Sequence, residues 1–232
     1  MKKTLIAATI ACVAAGTAPV FAHEAGDVIV RAGIATVAPD ASSDAIVLPT
    51  ITLPGGVDVE NNSQLGLTLT YMFNQNFGLG VLAATPFDHD IEVVDVAGLE
   101  AGSAKHLPPT VTVQWFPMGG SGGNFQPYLG LGINYTTFFS EDTTDAFEDT
   151  LGAVLGAGGP VNAKLKLDDS FGFAAEAGID IDLNEKWMIN FSVWYLDIKT
   201  TAEVSLPDLG AAVEFDVDID PWVYNIGIGY RF

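Results

Sequence analysis

Three groups of residues carry types that could do chemistry. Asp88-His89-Asp90 and His106 are placed to approach each other across one strand pair. A metal site needs converging ligands, and two histidines without tighter spacing fit solvated loop positions better. Asp168-Asp169-Ser170 offers a hydroxyl and carboxylates, but no histidine lies nearby, and the segment reads as the start of a strand. Gly78-x-Gly80 has no following helix whose N-terminus would hold a phosphate. There is no Gly-x-Ser-x-Gly elbow and no phosphate loop. These patterns argue against an enzyme and call for no cofactor or metal.

The composition narrows the class further. The chain has 232 residues, 49% of them apolar and only 16% charged, with a formal net charge of −20. That apolar fraction excludes a disordered chain. Nine Lys and Arg are too few for a nucleic-acid binder, which must neutralise phosphates. Residues 1–22 read as a secretory signal peptide. Lys2 and Lys3 are basic, Leu5 to Ala15 is apolar but too short to span a bilayer, and Val20 and Ala22 are small-type residues before the cut. The rival reading is a lipoprotein signal with Cys12 as the lipidated residue, but apolar residues continue past it. Cleavage after Ala22 removes Cys12, the one cysteine, so disulfides are not expected in residues 23–232.

The charges then avoid long stretches. No Asp, Glu, Lys or Arg occurs from Asn61 to Phe87, or from Leu107 to Ser140. Each stretch holds two alternating segments around a small turn. The acidic residues gather elsewhere, at 88–100, 141–149 and 197–220. A soluble sheet carries charge on its wetted face. Charge-free hairpins imply hydrocarbon around them, and in lipid only a closed barrel leaves no strand edge unpaired. Eight segments alternate with period two: about 27–38, 57–73, 77–94, 105–117, 125–140, 163–182, 186–203 and 213–232. The expectation is an all-β, eight-stranded antiparallel transmembrane β-barrel over residues 23–232. Turns near 74–76, 118–124 and 183–185 fall at the periplasmic end. Longer connections near 39–56, 95–104, 141–162 and 204–212 face outside, and 144–155 is expected to hold a helical turn or two.

The parity of the strands sorts the faces, because Arg31 and Arg231 must avoid lipid. Inward candidates include Ile29, Val37, Thr68, Thr70, Thr112, Gln114, Asn134, Ser192 and Asn225. The charged inward residues are Arg31, Glu176, Asp180 and Arg231, and Arg31, Glu176 and Arg231 are expected to neutralise one another inside. Abundant Gly, Ala, Ser and Thr on this face leave room for a passage, although small barrels can also be filled by side chains. Trp115, Trp187, Trp222, Tyr128 and Tyr230 lie near strand ends and read as interfacial girdles. Pro86 and Pro108-Pro109 sit at the outer ends of neighbouring strands. Proline cannot donate to a ladder, so they mark either ordinary strand ends or a weakened seam through which an apolar solute leaves sideways.

The sequence resembles the OmpW family of outer-membrane proteins. The resemblance rests on Lys105-His106-Leu107-Pro108-Pro109-Thr110-Val111-Thr112-Val113-Gln114-Trp115, on Gln126-Pro127-Tyr128 through Thr136, and on Asp168-Asp169-Ser170-Phe171-Gly172. The ending from Asp220-Pro221-Trp222 to Phe232 matches as well. It covers nearly the whole of residues 23–232. It implies an outer-membrane barrel with a narrow, largely apolar passage for small hydrophobic compounds, akin to the AlkL-type alkane importers. Met72, Leu82, Trp194, Leu196 and Val223 are the residues expected to line or constrict it. Passage would be passive partition into an apolar lumen. Two other readings stay open: a structural or adhesive barrel with a filled core and functional loops, and a lipid-hydrolysing or acyl-transfer barrel using His89 or His106. Expected partners are membrane lipids, lipopolysaccharide and small hydrophobic solutes; Asp142, Asp145, Glu148 and Asp149 offer a place for cations bridging lipopolysaccharide, but a solvated acidic loop is the better reading of them; no nucleic acid is expected.

Overall fold

Eight strands form a closed antiparallel meander in the computed structural model, which describes residues 23–47, 52–53, 55–121 and 123–232. They are β1 (Val28–Ala38), β2 (Asn62–Met72), β3 (Phe77–Ala84), β4 (Thr110–Trp115), β5 (Phe125–Thr143), β6 (Ser170–Asp182), β7 (Trp187–Leu196) and β8 (Trp222–Arg231). Each pairs with the next in the chain, and β8 pairs back onto β1, with Val30 opposite Tyr230 and Val37 opposite Val223. Closure leaves no sheet edge to be satisfied by lipid. The expected signal peptide, residues 1–22, lies outside the described residues.

The outward face is apolar from end to end. Leu131 is 70% exposed and Ile228 58%, with Val113, Phe173 and Ile226 also exposed beside them. Such a continuous apolar belt is stable only in hydrocarbon. Trp187 and Tyr230 pack edge to face at the short-turn end, and Tyr195 meets Trp222 at the other, as girdle residues do. Tyr128 departs from the girdle expectation. It is buried inside the barrel, because it shares parity with Gly130 and Asn134 rather than with Leu129. Leu131 sits mid-belt on β5, opposite Val113 and Ala175. Leu131→Arg is expected to destabilise the barrel by about 2–4 kcal/mol in urea unfolding from lipid bilayers, the cost of a cation near the midplane.

The expected long strands are broken at one level, just outside the belt. The segment 77–94 is β3 and a separate strand Phe87–Val93, parted at Thr85-Pro86. The segment 105–117 is Glu100–Leu107 and β4, parted at Pro108-Pro109. The segments 163–182, 186–203 and 213–232 break in the same way, giving outer strands Lys164–Leu167, Lys199–Leu206 and Ala211–Asp218. Proline removes ladder donors at three of these breaks: Pro86, Pro108-Pro109 and Pro221. Lys164–Leu167, Lys199–Leu206 and Ala211–Asp218 form a separate sheet with Ser42–Ser43, while Glu100–Leu107 pairs onto the outer end of β5 and Phe87–Val93 onto Glu100–Leu107; together they line a separate space. The expected helix is present as α1 (Asp145–Leu155). Thr144 caps it by accepting from the Phe147 N–H at 3.1 Å, and Gly156 ends it with φ 68°.

Candidate functional site: an apolar vestibule above a filled barrel

The inside of the barrel is layered. At the short-turn end Ile29, Met72, Phe116, Tyr128 and Met188 form an apolar base, and the ring of His23 packs edge-on against Phe116. Above it lies a polar layer. Arg31 reaches across the lumen from β1 to Asp180 on β6, with Nε donating to Oδ1 at 2.8 Å and both side chains fully buried. Arg31 Nη1 donates to the Thr70 hydroxyl at 2.8 Å, and that hydroxyl donates to Gln114 Oε1 at 2.8 Å. Gln114 Nε2 donates in turn to Glu176, as does Thr112 at 3.3 Å. Asn190 donates to Asp180 at 2.8 Å and to the Tyr128 hydroxyl at 3.0 Å, while the Arg31 guanidinium lies 5.2 Å from the Tyr128 ring centre. This connected network spans the cross-section of the barrel.

Two expectations about this layer are corrected. Arg31, Glu176 and Arg231 do not neutralise one another. Asp180 compensates Arg31, and Arg231 binds Asp182 at 3.1 Å and Asp27 at 3.8 Å near the short-turn end. Glu176 is held by amide and hydroxyl donors instead. The inward glycines also leave little room, because long side chains of adjacent strands cover several of them. A Cβ at Gly130 would meet Glu176, at Gly80 it would meet Gln114, and at Gly178 it would meet the Tyr128 ring. The lumen is thus polar and filled across its middle rather than apolar along its length.

The next layer is an apolar collar. Leu82, Trp194, Leu196 and Val223 lie together there with Ala35, Val37, Ala174, Phe87 and Ile198. All four expected lining residues are buried, and Trp194 is anchored by donating to the Ser192 hydroxyl at 3.3 Å. Met72 is inward too, but it belongs to the base, on the far side of the polar layer.

Outside the collar the small sheets and α1 enclose an apolar cavity of about 130 Å³. Its wall includes Ile46, Val57, Val93 and Leu99, then Phe147 and Leu151 of α1, and Ala202, Phe215 and Val217 from the far sheet. A second cavity of about 40 Å³ lies between it and the collar, lined by Ile91, His89, His106, Phe138 and Ile198 among others. His89 and His106 approach as their spacing allowed, with ring centres 4.9 Å apart. They are buried, 4% and 6% exposed, rather than solvated as expected. Burial pushes the His106 pKa down to about 3 and also lowers that of His89, so both are neutral near pH 7. A signal for this was present: Phe87, His89 and Ile91 share one parity, while Asp88, Asp90 and Glu92 share the other. No cluster of three metal-ligating side chains occurs among the described residues. Asp142, Asp145 and Asp149 lie on the outer surface with α1.

The three prolines border one gap. The β3–β4 ladder ends at Leu82 opposite Thr110 and resumes only at Phe87 opposite His106. Residues 83–86 face 107–109 without a rung between them. On the other side of β3 the last backbone rung is the Thr85 N–H to the Leu65 carbonyl at 3.0 Å; beyond it the Thr85 hydroxyl donates to Gln64 Oε1 at 3.2 Å, and the backbone of Asn62 to Gln64 pairs with β1. Pro86, Pro108 and Pro109 thus flank this interruption of the ladder, next to the collar residues Leu82 and Phe87.

Comparison with known proteins agrees with this architecture. The OmpW family matches residues 24–232. The chain is 46% identical to outer membrane protein W of Vibrio cholerae and 43% identical to that of Escherichia coli, over the full length of both partners. Outer membrane protein AlkL of Ectopseudomonas oleovorans is 23% identical over 76% of this chain and 69% of its own. The crystal structure of OprG from Pseudomonas aeruginosa superposes with a TM-score of 0.81 at 44% identity, covering 92% of this chain and 99% of that one. The AlkL structure shares the fold, with a TM-score of 0.64 at 18% identity over 98% and 97% of the two chains. On these grounds the chain belongs to the OmpW family and is an eight-stranded barrel of the outer membrane.

Proposed function

We propose that this barrel takes up small hydrophobic molecules passively, admitting them from outside into the vestibule and releasing them sideways into the membrane at the proline-bordered gap. The carrying observation is that the apolar cavities stand over an apolar collar and a polar, hydrogen-bonded barrel interior, and that beside the collar residues Leu82 and Phe87 the ladder is interrupted between residues 83–86 and 107–109. Short turns lie on the periplasmic side of such barrels and long loops outside, so the vestibule faces the medium. An apolar solute gains about 0.8 kcal/mol per buried methylene on leaving water. It gains nothing further by entering a layer built of Arg31, Asp180 and Glu176, whose charges and hydrogen-bonding groups an apolar solute cannot satisfy. Bulk hydrocarbon through the gap is the remaining apolar destination. Leu82, Trp194, Leu196 and Val223 form the floor that turns the solute aside, and Met72 plays no part in the route.

A barrel serving only as a structural or adhesive element has no use for an enclosed apolar cavity in its loops, and measured flux separates the two readings. Replacing Pro108 and Pro109 by valine restores two N–H donors and lets the ladder zip across residues 107–109. Uptake of a short alkane by cells producing P108V/P109V is expected to fall severalfold while the barrel stays folded. Unchanged uptake with an intact barrel would refute lateral release.

A further inference from the structure

The small cavity between the vestibule and the collar contains a polar group that the uptake of a pure hydrocarbon does not use. Strand Phe87–Val93 directs Phe87, His89 and Ile91 inward, and strand Glu100–Leu107 directs Ala104 and His106 toward them. The two imidazoles stack at 21° with Phe87 and Phe138 flanking His106. His89 Nδ1 lies 2.5 Å from the Glu60 carbonyl. A carbonyl only accepts, so Nδ1 carries the proton, and in a neutral ring Nε2 is then a pure acceptor. His89 Nε2 is buried and has no partner. A buried acceptor left unpaired is costly, and a donor brought to it recovers that cost. His89 lines a cavity of about 40 Å³, more than one hydroxyl needs, whose other walls are almost wholly apolar; Nε2 is turned away from that space as the ring stands, so a hydroxyl there reaches it on a turn of the ring.

We propose that this pocket recognises the hydroxyl end of an amphiphilic solute, which donates to His89 Nε2 while its alkyl chain lies in the apolar vestibule. The proposal rests on the uptake reading above. An acceptor selects a donor. An alkane offers none. A carboxylate offers none either, and it would meet the field of Asp88, Asp90 and Glu60 on the same strands and turn. A primary alcohol or a phenol fits both the charge and the dimensions.

The test uses cells producing the full chain, n-octane uptake as the readout, and competition by 1-octanol or its methyl ether, which has the same oxygen without a donor. 1-Octanol is expected to compete at about three- to tenfold lower concentration than the ether, the net worth of one hydrogen bond. In His89→Phe, which keeps the ring stack but removes the acceptor, the two competitors should become equal in potency, each measured against that variant's own n-octane uptake. His89→Gln, which restores an acceptor, should restore the preference in part. Equal competition by alcohol and ether in the unsubstituted chain would overturn the proposal and leave the uptake reading intact, and that comparison needs no variant to fold. A chain that takes up no n-octane would overturn the uptake reading, and this inference with it.

Discussion

Asp180→Leu is expected to destabilise the barrel by about 3–5 kcal/mol, measured by urea unfolding from phosphatidylcholine bilayers with tryptophan emission as the probe. The reason is the asymmetry of buried ion pairs. Arg31 and Asp180 are both fully buried, and each satisfies the other through two contacts. Removing the carboxylate leaves a guanidinium in a layer whose other charge, Glu176, is already held by Gln114 and Thr112. Glu176, whose second oxygen is unpaired, is the one other carboxylate acting on Arg31, but it contributes less than Asp180 and makes no direct hydrogen bond to the guanidinium. Asn190 also loses its acceptor at 2.8 Å. The double variant Arg31→Met/Asp180→Leu removes both charges and is expected to recover more than half of the loss, because a matched apolar pair is often neutral relative to an ion pair. A loss below about 1 kcal/mol for the single variant would mean that water already penetrates this layer, and the filled lumen would no longer argue for lateral release.

Much of this arrangement was legible in the sequence, and the exceptions have physical causes. Period-two alternation located all eight membrane strands, because lipid on one face demands apolar residues at every second position. The same parity put Arg31, Glu176, Asp180 and Arg231 inside. It did not choose their partners, because pairing across a lumen depends on shear and on depth along each strand. Arg31 and Asp180 are 149 residues apart and lie on strands that do not touch. Parity also contained the answer for Tyr128, which an aromatic residue near a strand end obscured. The breaks at residues 85–86 and 108–109 were visible as prolines, yet alternation runs straight through them, so they read as strand ends rather than as the base of a second compartment. The vestibule itself was not legible. Its wall comes from seven separate stretches of chain, among them α1 and strand Ala211–Asp218, and their meeting depends on long-range packing that no local pattern encodes.

That compartment makes the second large effect. Ala202→Trp is expected to lower alkane uptake roughly 50-fold while leaving the stability of the barrel nearly unchanged. Ala202 is 2% exposed, stands between Leu167 and Phe215 in the outer sheet, and lines the cavity of about 130 Å³. An indole in place of its methyl group projects into that space. If it excludes three methylenes of the solute, about 2.4 kcal/mol of partition free energy is lost at 0.8 kcal/mol each, which is roughly the stated factor. Overpacking strain of about 1–3 kcal/mol falls on the outer sheet, whose strands are parted from the barrel ladder at residues 168–169, 197–198 and 219–221. The unfolding transition of the membrane strands should therefore barely move. Leu131→Arg should do the reverse, weakening the barrel through its lipid face while the folded fraction retains its uptake. If Ala202→Trp reduced uptake only in proportion to lost folded protein, the cavity would lie off the route and the solute would have to reach the gap by another path.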